Sequence, residues 1–163
     1  MSDQIALEIA DMLKRIKVLE NLEVPGTGTF IPTLFGSGTL GTFTYDTANT
    51  EAQYTRAFDR ISFNGRLRIT ATTTPPTGNM SLGGLPIAAG VNAINGNVLG
   101  GAGVIYTGIN LVAGYTQVQG LITGSSSSIA LVETGDNLSL QSVQGGELAA
   151  AIDLYFWGMY KID

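Results

Sequence analysis

The sequence predicts a mainly β protein: a jelly-roll-like antiparallel β-sandwich head over residues 30–163, preceded by a short N-terminal helix. Three observations point there. Charged residues make up 13% of the chain and glycine occurs 22 times, whereas an average soluble domain carries about 25% charged residues. Short runs rich in Ile, Val, Thr, Tyr and Phe alternate with turn clusters such as GSGTLG, TTTPPTGN, TGSSSS and ETGDN, the punctuation of many short strands. No Asp, Glu, Lys or Arg occurs from Ile69 through Val132, and strands that pack against neighbours can dispense with charge.

The opening stretch is the exception to this pattern. Ile5, Ile9, Met12, Ile16 and Leu19 recur at spacings of four and three, a coiled-coil seam with Ile9 and Ile16 at a and the others at d. Ala6, Leu13 and Leu22 widen the apolar stripe, and Arg15 and Glu20 stand where parallel neighbours pair across a seam. Isoleucine at both a and d leans towards three strands. The rival reading is one amphipathic helix lying on its own domain. Pro25 to Gly28 ends the helix, so the organisation expected is a coil over 1–24, a Pro/Gly hinge over 25–29 and a head over 30–163.

Within the head, RISFNGRLRI alternates cleanly. Ile61, Phe63, Leu67 and Ile69 point one way, and Arg60, Ser62, Asn64, Arg66 and Arg68 the other. The last run sets Ile152, Leu154, Phe156, Tyr160 and Ile162 against Asp153, Tyr155, Trp157, Met159 and Lys161. Both faces are largely apolar, so this strand is expected to be covered on both sides, with a neighbouring subunit as the natural cover.

Composition closes off several chemistries. The net charge of −5 argues against a nucleic-acid partner, which would need Lys and Arg for phosphates. The chain has no cysteine and no histidine, which removes disulfides, thiolates, the commonest general base and the commonest zinc ligand. No cofactor or metal is expected. The acidic first residues do not read as a secretion signal. Prolines and glycines interrupt every helical window of the neutral tract, so no membrane insertion is expected.

Between Phe30 and Ile87 three pieces stand out: TFIPTLFGSGTLGTFTY, QYTRAFDRISFNGRLRIT and NMSLGGLPIAAG. They resemble a module of phage tail-fibre and other phage structural proteins, which opens on "TPTL-G", continues with a "Y-x-R-x-G-x-x-V-x-F-x-G-x-I" strand pair and closes on an "I-x-G-L-P" turn. Pro32, Thr33, Leu34 and Gly36 match the opening, Tyr54, Arg56, Phe63 and Gly65 the strand pair, and Leu82, Gly84, Leu85 and Pro86 the turn. The chain departs from the module at Ala57-Phe58-Asp59, where the family has a glycine. The resemblance implies a homotrimer with a β-sandwich head behind a coiled-coil stalk, located in the virion. It makes the helix a trimerisation and docking peg built on Ile5, Ile9, Met12, Ile16 and Leu19.

Candidate chemistry is sparse. GSGTLG, Gly36 to Gly41, spells a dinucleotide glycine pattern, but TFTYDT after it is strand-like and offers no helix N-terminus to a phosphate; a hairpin turn is expected. Arg60, Arg66 and Arg68, with Arg56 nearby, either grip an anionic sugar or pair with acids such as Asp153 or Glu147. Tyr155, Trp157 and Tyr160 form either a sugar-stacking platform or a core and subunit interface. No two carboxylates of the head are marked as a glycosidase pair. The neutral loops TTTPPTGN, VNAINGNVLGGAG and TGSSSS, with Asn92, Asn95 and Asn97, suit hydrogen bonding to carbohydrate or to another virion protein.

The function read from the sequence is therefore a non-enzymatic, trimeric virion structural protein. It would be a short fibre attached through its helix to tail or baseplate, with its head free for a host-surface glycan or protein. The alternative is a decoration protein clamping the capsid shell at three-fold positions.

Overall fold

The computed structural model describes residues 8–9, 12–13, 26–91 and 98–162. Among them eleven strands carry the chain: β1 (Gly26–Phe30), β2 (Thr33–Gly36), β3 (Thr42–Tyr45), β4 (Glu51–Ala57), β5 (Arg60–Thr74), β6 (Met80–Gly83), β7 (Val98–Ile109), β8 (Gln117–Thr123), β9 (Ser128–Thr134), β10 (Gln141–Ser142) and β11 (Leu148–Lys161). Every pairing is antiparallel, and one hydrogen-bonded path runs β1-β4-β5-β11-β7-β8-β9-β6-β2. β3 lies beside the second half of β5, and β10 beside β9.

The expected mainly β, antiparallel architecture is present as a single curled sheet. Its two ends face each other across one core. Ile61, Leu67 and Ile69 of β5 and Ile152, Leu154 and Phe156 of β11 share that core with Met80 and Leu82 of β6 and Ile129 and Leu131 of β9. Cross-links hold the curl closed. The Leu34 amide donates to the Tyr45 hydroxyl at 3.1 Å, and the buried Tyr160 hydroxyl donates to the Ile87 carbonyl at 2.7 Å.

The alternation read in RISFNGRLRI holds along β5: Ile61, Phe63, Leu67 and Ile69 are all buried, and Arg60, Ser62, Asn64 and Arg68 are exposed. Gly65 belongs to the same inward row for a packing reason. A Cβ there would sit 2.4 Å from Ala52 and 2.8 Å from the Phe156 ring, so the missing side chain is what admits the ring. Phe63 then contacts both Phe156 and Tyr160, with ring centroids 6.2 and 6.0 Å away.

Two local expectations change. Gly26 to Thr29, read as part of a hinge, belong to β1 and pair with β4 from Gly26–Arg56 to Phe30–Ala52; the sheet edge supplies partners that a sequence of turn-formers does not announce. GSGTLG is no hairpin, because it joins β2 to β3 and these pair with β6 and β5 respectively. It is a corner stitched to the 75–79 loop by Gly38 N–H to Thr77 O at 2.9 Å, Thr77 N–H to Thr39 O at 3.1 Å and Ser37 N–H to Asn79 O at 3.0 Å. Where the chain departs from the resembled module, Phe58 enters the left-handed region, with φ 55, at the first position of the two-residue turn between Ala57 and Arg60. A positive φ there suits a hairpin's twist, at a cost of ~1–2 kcal/mol for a residue with a Cβ.

Glu8, Ile9, Met12 and Leu13 are helical. Ile9 is 48% and Met12 55% exposed; Ile5, Ile16 and Leu19 lie outside the described residues. Among the described residues no helix is long and apolar enough to cross a membrane.

Candidate functional site

The candidate residues converge on the outer face of the sheet where β5, β11 and β7 lie side by side. Register places Arg66 opposite Tyr155, Asn64 opposite Trp157 and Ser62 opposite Met159. On its other side β11 meets β7, with Ile105 opposite Tyr155, Gly103 opposite Trp157 and Gly101 opposite Met159.

At one end of this face the charges are neutralised internally. The Arg66 guanidinium grips Asp153 as a fork, Nε to Oδ1 at 2.9 Å and Nη2 to Oδ2 at 2.6 Å, the geometry of a strong bidentate pair. Its Nη1 donates to Asn49 Oδ1 at 2.9 Å, and its Cζ sits over the Tyr155 ring, 4.8 Å from the centroid. The hydrogen bond from Arg66 holds the Asp153 carboxyl below its ordinary range, and the same bond raises the arginine. Arg68 pairs with Asp46 at 3.5 Å. Of the two readings of the arginine row, pairing accounts for Arg66 and Arg68, with Asp153 as one partner.

Glu147 is used elsewhere: its Oε2 accepts the Gln144 N–H at 2.7 Å and closes a short 3-10 turn, Gly145–Glu147. Arg60 is more open. It meets Met159 Sδ at 3.8 Å and Asp59 at 4.0 Å, while Lys161 approaches the same Asp59 at 3.8 Å.

The middle of the face is apolar and wet. Tyr155, Trp157 and Met159 are 45%, 48% and 47% exposed, and Ile105 is 61% exposed. Trp157 lies across the neighbouring strand, because a Cβ on Gly103 would fall 2.5 Å from its ring. The glycine is what lets the indole lie flat. Beside it a shallow depression of about 630 Å3 is bordered by Arg60, Asn64, Leu99, Gly101, Trp157 and Met159.

The aromatic trio is therefore divided by strand parity. Tyr160 faces inward, 1% exposed, and burial pushes its phenol up to about 12; it is a core residue. Tyr155 and Trp157 face outward.

The neutral loops are largely occupied with one another. TTTPPTGN is stitched to the GSGTLG corner as described above. In TGSSSS the Ser125 N–H donates to Ala89 O at 3.0 Å, and Ser127 O accepts the Leu85 N–H at 3.2 Å, so this turn anchors the LGGLPI segment. Asn92, Asn95 and Asn97 lie outside the described residues. Among the described residues no group of three or more Asp or Glu is placed to hold a metal ion.

No protein-family model matches the chain, and no curated protein does. Among solved structures the Dettilon tailspike protein is similar, with a TM-score of 0.59 and 15% identity over 85% of this chain. The match spans 24% of that protein's chain, so the likeness is of the fold and concerns about a quarter of the tailspike.

Proposed function

We propose that this chain is a non-enzymatic structural protein of a phage virion, working as a homotrimer in which sister chains cover the outer face of β5, β11 and β7. The observation that carries the reading is the ridge of Tyr155, Trp157 and Met159, half open to solvent, on a strand whose other face buries Ile152, Leu154, Phe156 and Tyr160. A half-covered aromatic leaves about 100 Å2 of ring wet, and a stable interface buries about 800 Å2 per partner. The ridge with Ile105 and the bordering depression supplies a substantial share of that. The bidentate Arg66–Asp153 pair supports the same use, since a face whose charges are already neutralised can be dehydrated at lower cost.

The fold shared with part of a tailspike supports the phage setting, as do the sequence pieces between Phe30 and Ile87. Ile9 and Met12, helical and exposed in the single chain, support an N-terminal helix that pairs with its copies and docks the trimer on tail or baseplate. Host-surface contact, with a glycan or a protein, falls to Arg60 and to the segment bearing Asn92, Asn95 and Asn97, each site weak and the trimer gaining by avidity.

One observation favours the decoration role at capsid three-fold positions instead. The hydroxyls and amides of TTTPPTGN and TGSSSS are in good part satisfied within the chain, which leaves fewer of them for a receptor. Copy number per particle separates the two roles: a handful for a fibre, hundreds for a shell clamp.

Sedimentation tests the assembly. The wild-type chain should run as a trimer at micromolar concentration, and Trp157→Asp should run as a folded monomer. A wild-type monomer would refute the reading.

A further inference from the structure

On β1, β4 and β5 the outer face carries two cross-strand rows of polar side chains. Register aligns Thr27, Thr55 and Ser62 in one row and Thr29, Gln53 and Asn64 in the next. All six are exposed. Between the rows lie Gly28, Tyr54 and Phe63, of opposite strand parity, and their backbone floors a trough of about 330 Å3 that these residues line. The floor is firm. Phe63 is buried in the core, and the Tyr54 ring packs against Gly28, where a Cβ would fall 2.7 Å from it. In volume the trough stands at the small end of ligand sites, ~300–1,000 Å3.

What sets this trough apart is that its polar groups are unused. Elsewhere around the sheet such groups find partners within the chain. The buried Glu133 of β9 accepts the Val112 N–H, and the hydroxyls of Thr50, Thr70 and Thr72 donate to the carbonyls of Arg68, Thr44 and Ala150 at 3.2, 3.2 and 3.1 Å. Among the described residues none of the six trough side chains has a hydrogen-bond or ionic partner. The rows are also uncharged. The nearest cations on β5 stand one row further out on either side, Arg60 beyond Ser62 and Arg66 beyond Asn64, and both pair with aspartates. Every trough side chain is a hydroxyl or a carboxamide, able both to donate and to accept.

We propose that this trough is a binding site for a neutral glycan chain, laid across β1, β4 and β5 with its hydroxyls paired to the two rows. A sugar hydroxyl donates and accepts at once, as do the side chains that meet it. An anionic sugar needs a cation, and the rows offer none. An extended peptide is bound through backbone groups at a sheet edge, whereas the backbone under this trough is taken up in the β1-β4-β5 ladders. Three strands ~4.8 Å apart give contact over roughly 10 Å, so one site is weak. The trough ends at β5, beside the ridge of Tyr155, Trp157 and Met159, so glycan and sister chain do not compete for the same residues. The site is distinct from Arg60 and the asparagine segment, and it rests on the trimeric reading above for avidity alone.

A glycan array probed with the full-length protein tests it, with neutral and anionic oligosaccharides side by side and sedimentation run on the same samples. At least one neutral oligosaccharide should be retained. Gln53→Ala and Asn64→Ala should each weaken its binding roughly tenfold, the loss expected from about two neutral hydrogen bonds. Gln117→Ala, which removes an exposed carboxamide of β8, should leave binding unchanged. Titrating the wild-type protein with the retained oligosaccharide should shift the side-chain amide resonances of Gln53 and Asn64, a readout that requires no variant to fold. Failure of every neutral oligosaccharide, retention of anionic ones alone, binding that survives both trough substitutions, or amide resonances that do not move overturns the proposal. Trough amides already shielded from solvent in the unliganded protein would mean that another protein surface fills the trough, and overturn it too. A monomer that binds refutes the assembly and leaves the trough standing, whereas a trimer that binds no neutral glycan refutes the trough alone.

Discussion

Both faces of β11 carry large apolar and aromatic residues, although the outward row adds Asp153 and Lys161, and they end in opposite states. Inward, Ile152, Leu154, Phe156, Tyr160 and Ile162 are each 2% exposed or less. Outward, Tyr155, Trp157 and Met159 stay about half open. Among the large apolar residues, side-chain character does not separate the faces; geometry does. The inward row meets the far end of the same curled sheet, which returns β6 and β9 across the core. Among the described residues the outward row has no element of its own chain above it. A sheet that curls one way closes only its concave side, and the apolar residues on the other side are what the proposed assembly would cover.

The largest test of this contrast is a pair of truncations. Phe156→Ala should lower the unfolding free energy by ~3–5 kcal/mol, since it leaves a cavity against Gly65 and Phe63. Trp157→Ala, measured where the chain is monomeric, should cost about 1 kcal/mol or less, because half of the ring is already in water. Equal losses in denaturant titrations would break the contrast.

A smaller effect sharpens it at the polar end of the outer face. Asp153 is held below its ordinary range by Arg66, so its contribution is present above that range and is lost as the pH falls through the lowered folded-state value. Wild-type Tm should therefore drop below about pH 4 more steeply than that of Asp153→Asn. Parallel acid limbs would show that the fork does not stabilise the fold.

The smallest effect concerns the hairpin tip. Phe58 is 61% exposed and holds φ 55. Phe58→Gly should raise stability by about 0.5–1 kcal/mol, the relieved strain less the extra freedom of glycine in the unfolded chain. A loss on the same substitution would show that the exposed ring contributes packing.

Much of the fold was legible. The two-residue period of β5 and β11 assigned each of their side chains to a face, because a pleated strand leaves no other choice. The pairing of Arg66 with Asp153 was foreseeable as chemistry, although Glu147, an equally plausible partner on sequence, closes its own turn instead. The misreadings share a cause. PGTG and GSGTLG are turn-forming spellings, and whether such a stretch ends as an edge strand, a hairpin or a corner depends on which backbone groups lie opposite it. Glu133 escaped notice although the Ile129-Leu131-Glu133 alternation pointed it inward; a lone charge at a strand end reads as solvent-facing until the burial of its neighbours is known.

By itself, then, the sequence determined that this is a β protein, which residues of its long strands share a face, and that its last strand is apolar on both sides. Those properties follow from local geometry and composition. Only the tertiary structure decided that the strands join in one curled sheet, that Arg66 and Asp153 meet across it, and that Glu133 is enclosed at the end of β9. Each of those depends on segments far apart in the chain becoming neighbours, and no spacing along the chain encodes which they will be.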